Sequence, residues 1–104
     1  MAPMEVFKLG EAKDQGGHLG FTANAILFTE PDRVRRLRSV FPAEEVGAQS
    51  WTIDPAQVIA CVDRQIQVLA PATADDQTFL EDLVAVRACA VRANPAHEFG
   101  ISYT

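Results

Sequence analysis

The sequence predicts an α+β fold: a small, mainly antiparallel sheet in the order β-β-α-α-α-β, with helices packed on one face. Three observations carry this reading. Residues 19–28 are strand-like, with Leu19, Phe21, Ala23, Ala25 and Leu27 sharing one face at a period of two. Helical stripes of apolar residues occupy the middle of the chain. The last residues return to a period of two, with Phe99, Ile101 and Tyr103 separated by Gly100 and Ser102. The 104 residues are read as a single domain, residues 1–104.

Each element has a local reason. Residues 4–9 read as a first strand, and Gly10 to Gly17 supply the turn chemistry of a hairpin loop that ends near His18. Ile26 and Phe28 make the second strand apolar on both faces toward its end. Thr29 or Glu30 caps the first helix, and Pro31 fits its first turn, where a missing N–H costs nothing. Val34, Leu37, Val40 and Phe41 form its stripe, and Pro42 stops it. Residues 43–50 read as a connector, and Trp51 with Ile53 as a short extended piece. Asp54-Pro55 opens the second helix, with Gln57 placed as in a capping box. Val58, Ile59, Val62, Ile66 and Leu69 line one side of it, and Pro71 ends it. The third helix begins at Thr73 to Asp76, carries a wide apolar face from Phe79 to Val91, and ends at Asn94-Pro95. The final strand is expected to pair with strand one or strand two.

Composition narrows the function. Hydrophobic residues make up 48% and charged residues 22%, an ordinary globular balance. The formal charge is −5, from 14 acidic and 9 basic residues. That balance disfavours nucleic acid, whose phosphates demand a cationic surface. It suits a basic protein partner, drawn in by long-range attraction. No run approaches the ~20 apolar residues of a membrane span. Residues 1–5 lack the basic start and apolar core of a signal peptide, so a cytoplasmic location is expected. Cys61 and Cys89 fall on different helices and read as packed thiols.

Candidate sites are few. Arg33, Arg35, Arg36 and Arg38 put four of the nine basic residues within six positions. They could bind an anion, but they encircle the Val34/Leu37 stripe and read better as a solvated face. Gly16-Gly17-His18-Leu19-Gly20 is followed by a strand, whereas a phosphate cradle needs a helix. His97 and Glu98 are adjacent on a strand and point to opposite faces. Asp75, Asp76, Glu81 and Asp82, with Glu44 and Glu45, form an acidic cluster. Its spacing matches no calcium loop, leaving dipole complementarity or a basic partner as its use. Trp51, near Phe41 and Pro42, reads first as partly buried core, and would be an interface anchor if exposed.

No catalytic triad, zinc spacing or cofactor motif is present, so no catalytic residue, cofactor or metal is expected. The reading is therefore a small, acidic, non-enzymatic protein-binding domain. Its candidate contact residues are Asp75, Asp76, Glu81, Asp82, Glu44, Glu45 and Trp51. A toxin-neutralising immunity or inhibitor protein has this size and charge, though no motif supports that analogy. Two rivals remain. One is a homo-oligomer subunit or regulatory domain, a possible homodimer through the open sheet edge or the third helix. The other is a small enzyme or ligand-binding domain with a pocket between sheet and helices, which a histidine within hydrogen-bond reach of a carboxylate would favour.

Overall fold

The computed structural model describes residues 5–14, 19–41 and 50–103. The elements are β1 (Phe7–Asp14), β2 (Leu19–Phe28), α1 (Pro31–Arg38), β3 (Ser50–Thr52), α2 (Pro55–Val68), α3 (Ala74–Val91) and β4 (Glu98–Tyr103). This is an α+β fold built on an antiparallel sheet of strand order β2-β1-β4-β3.

β4 lies inside the sheet. It pairs with β1, as the sequence suggested, and on its other edge with β3, the short extended piece at Trp51. Leu9, Ile26, Ile101 and Trp51 come into register across the four strands. One sheet face therefore presents Phe28, Phe7, Leu9, Ile101, Phe99 and Trp51 to the helices. There they join Val34, Leu37, Val58, Val62, Leu83 and Val86 in one buried cluster. Leu27, on the opposite face, remains 54% exposed.

β1 is longer than its pattern suggests. Gly10-Glu11-Ala12-Lys13 reads as a turn but is strand, paired with β2 and β4. Two contacts explain this. The β2 backbone at Asn24 and Ala25 lies directly against Gly10, a close approach that any side chain would block. Glu11, which looks like a solvated turn residue, is 6% exposed and turned inward. The β1–β2 register shifts between Gly10 and Ala12, which bends the pair.

The helix starts follow local chemistry. Asp54 Oδ1 accepts from the Ala56 N–H at 2.9 Å, and Thr73 Oγ1 accepts from the Asp76 N–H at 3.1 Å. Glu30 is the N-cap of α1 but makes no side-chain cap bond; Pro31 opens the helix behind it. Several expectations fall on residues 1–4, 15–18 and 42–49, outside the described residues: the start of strand one, the Gly16-Gly17-His18 loop, and Glu44 and Glu45. α1 ends at Arg38, short of the expected stop at Pro42, with Ser39 as its C-cap. Among the described residues, no helix is long and apolar enough to cross a membrane.

Candidate functional site

The cleft between α1 and α3 is where the two charge-dense segments meet. α1 buries Val34 and Leu37, so its arginines emerge on either side of that stripe. α3 buries Phe79, Leu83 and Val86 and offers acids from its first turns. Packing the two helices together sets arginine against carboxylate. Arg33 grips Asp82 with both nitrogens, Nη2 to Oδ1 at 2.6 Å and Nε to Oδ2 at 3.0 Å. This fork-to-fork geometry is the stronger form of the arginine–carboxylate pair. The Asp82 carboxylate is buried, and its hydrogen bond holds the Arg33 guanidinium more firmly protonated than usual. Arg36 Nη2 donates to Asp76 Oδ1 at 2.7 Å, and its guanidinium sits 4.2 Å from the Phe79 ring centroid. The Arg36 bond, followed by the Ala72 N–H, lowers the pKa of Asp76 below the usual carboxylate value.

The cleft encloses about 270 Å³ and is lined by Glu30, Asp32, Arg33, Arg36, Asp75 and Asp82, with Thr78 and Phe79. Four carboxylates therefore face two guanidiniums, and each guanidinium already has an aspartate. The remaining acids are loosely held. Glu30 is 3.6 Å from Arg33, and Asp32 is 4.0 Å from Arg35 with its side chain fully exposed. Asp75 is exposed and has no ion-pair partner among the described residues. Chemically the cleft is an acidic, open recess of side-chain size. A lysine or arginine side chain, contributing three or five N–H donors, is what it can hold.

These contacts revise the reading of both charged segments. The Arg33–Arg38 run is not a free solvated face. Arg33 and Arg36 cross to α3, Arg35 Nε lies 3.0 Å from Glu5, and Arg38 Nη1 donates to the Phe41 carbonyl at 3.2 Å. The four proposed contact acids of α3 divide. Asp82 is buried and Asp76 is committed to Arg36, so neither offers a free charge; Asp75 and Glu81 remain exposed. Trp51 is 6% exposed and packs in the core, with Arg38 4.8 Å above its ring, so it cannot anchor a partner. Its β3 position, paired with Ile101, turns the indole inward. Sequence reasoning missed Glu30, Asp32, Arg33 and Arg36 as cleft residues. The available signal was the complementarity itself: a basic α1 and an acidic first half of α3, each with one apolar stripe, will pair their charges if the stripes share a core.

A second polar cluster lies at the other end of α3. Glu11 Oε1 accepts from the Asn94 N–H at 3.0 Å and lies 2.9 Å from His97 Nδ1. The Asn94 bond, then Asn24 and His97, lowers the pKa of Glu11. His97 thus finds its carboxylate on β1, a juxtaposition that strand geometry alone could not reveal. Cys89 sits alongside, 3.5 Å from Asn24 Oδ1, and burial raises its thiol pKa, which opposes thiolate chemistry. Cys61 and Cys89 are both free. Among the described residues, no group of three or more His, Cys, Asp or Glu could hold a metal ion.

Comparison with protein-family models, with curated proteins and with solved structures finds no match to this chain.

Proposed function

We propose that the chain is a small, acidic, non-enzymatic protein-binding domain that receives a basic side chain of a protein partner in the α1–α3 cleft. One observation carries this reading: the cleft's two guanidiniums are already neutralised by Asp82 and Asp76, so Glu30, Asp32 and Asp75 leave it net negative. An overall charge of −5 would speed the approach of such a partner. An immunity or inhibitor protein acting in the cytoplasm fits these features, with its two thiols unbridged as in a reducing compartment.

The His97–Glu11 contact favours a second reading, a small enzyme with His97 as general base. Two features weigh against it. Glu11 also holds the Asn94 backbone, which is a structural duty. The cleft is lined by residues 75–82 of α3, whereas this pair sits past the helix C-terminus, more than ~12 Å along the axis at 1.5 Å per residue.

The test uses charge reversal at the exposed acids only. The double variant Asp32→Lys/Asp75→Lys is expected to stay folded, at a cost of ~0.5–2 kcal/mol for two reversed charges in helix first turns, but to bind its basic partner at least ~10-fold more weakly, with the difference shrinking at high salt. The products of neighbouring genes are the first partners to titrate by calorimetry. A partner that binds both forms equally, at low and high salt, would overturn the assignment of the cleft.

A further inference from the structure

α3 carries apolar residues on two sides. Phe79, Leu83, Val86, Cys89 and Ala90 face the core. Val84 and Val91 point away from it and remain 53% and 59% exposed. With about 100° between successive residues, Val84, Ala88 and Val91 fall on one arc opposite the core residues. Glu81 and Arg92 border this stripe at its two ends. Both are exposed, and neither has an ion-pair partner among the described residues. Three apolar positions bordered by one unpaired acid and one unpaired base make a face complementary to itself.

We propose that this face docks a second copy of the chain, with the two α3 helices antiparallel about a two-fold axis near Ala88. The geometry follows from the helix rise. The midpoint of Val84 and Val91 lies beside Ala88, so an antiparallel pairing sets each valine against the other valine of the second copy. Glu81 lies about 10 Å from that midpoint toward the N-terminus, and Arg92 about 7 Å toward the C-terminus, at 1.5 Å per residue. Turning one helix end for end brings Glu81 within about 3 Å, along the axis, of the partner's Arg92. The two-fold axis repeats the contact, so each dimer gains two such pairs around a small apolar centre. A parallel pairing would instead set Glu81 beside Glu81 and Arg92 beside Arg92. This surface is separate from the α1–α3 cleft, which uses Asp75, Phe79 and Asp82 on the flank of α3 facing α1. A dimer would leave that cleft open.

A single helix face is small beside the ~1,600 Å² of a standard interface, so the dimer is reversible. Sedimentation velocity from about 1 µM to about 1 mM covers the range in which such contacts form. The chain is expected to move from monomer to dimer across that range, and added salt to weaken the dimer. Glu81→Arg and Arg92→Glu are each expected to abolish it, because each places like charges together. Combining them restores opposite charges and is expected to restore the dimer. Val84→Asp removes it by charging the apolar centre. All these positions are exposed, so thermal melts at low concentration should match the parent. A chain that stays monomeric throughout overturns the proposal. So does a dimer indifferent to Val84→Asp, which would place the contact elsewhere, as at the β2 edge. So does a double reversal that fails to recover association while both single variants remain folded.

Discussion

Gly10→Ala tests the least expected feature of the sheet. A Cβ on Gly10 would fall inside the van der Waals envelope of Ala25 Cα and the Asn24 carbonyl oxygen, and 2.5 Å from Ala25 Cβ. Ordinary contact begins near 3.4 Å, so β1 and β2 would have to separate by roughly 1 Å. Two of the three obstructing atoms are backbone, so no rotamer change relieves them. Overpacking of this kind costs ~1–3 kcal/mol and sometimes more. Replacing glycine stiffens the unfolded chain and offsets ~0.4–1 kcal/mol of that. The expected net loss is about 1–2 kcal/mol. For a domain of this length it lowers the melting midpoint by roughly 10 °C. Circular dichroism melts and urea titrations read it directly. Adding Ala25→Gly removes only the side-chain obstruction, so it should rescue a fraction of the loss. A Gly10→Ala protein that melts within a degree or two of the parent would show that the strands do not cross here as described.

Other expectations follow from the same packing. Leu83→Ala, at a fully buried position under the sheet, should cost about 2–5 kcal/mol in a denaturant melt. Arg36→Ala, at a position that looks like open surface in the sequence, should cost at least ~0.5–1 kcal/mol through its lost contact with Phe79. A smaller change would mean that the stacking is not maintained in solution. Removing residues 98–104 takes away Phe99 and Ile101, whose burial is worth ~3–6 kcal/mol, and frees β1 and β3 together. The product is expected to be unfolded or aggregated by light scattering. Acid should destabilise the fold through Glu11. Its folded pKa is depressed, so the unfolded chain takes up that proton first. Its contribution is therefore complete above the ordinary glutamate pKa of ~4.3 and fades as pH falls through the lower folded value. Urea midpoints of Glu11→Gln should lose part of the parent's decline between about pH 5 and pH 2; parallel pH curves would remove Glu11 from the account.

Much of the architecture is written locally. The alternation from Leu19 to Phe28, the Asp54-Pro55 start and the alternating Phe99, Ile101 and Tyr103 each specify an element through a handful of neighbours. The failures share one cause, which is distance along the chain. Glu11 reads as turn because its neighbours are Gly10, Ala12 and Lys13. Its bonding partners Asn94 and His97 lie 83 and 86 positions away. Asp82 and Asp76 read as a free acidic surface because Arg33 and Arg36 are 49 and 40 positions distant. A charge pattern shows which signs are available, and only packing shows which of them are already matched. The cleft was legible as two charged helices but not as one recess. Trp51 was legible as a short extended piece and as core, and its place in the sheet followed only from β3 lying beside β4.

The inner position of β4 also orders events during synthesis. β1 and β2 can close as a hairpin early, but the other edge of β1 has its partner near the far end of the sequence. At ~5–20 residues per second, a ribosome needs roughly 5–20 s to reach β4 after making β1. For that interval the nascent chain carries a hairpin whose Phe7 and Leu9 have no sheet neighbour on the β4 side, even as α1, α2 and α3 are made. β3 waits in the same way, since β4 is its partner in the sheet. The sheet can be completed only when this six-residue strand enters between two segments already made.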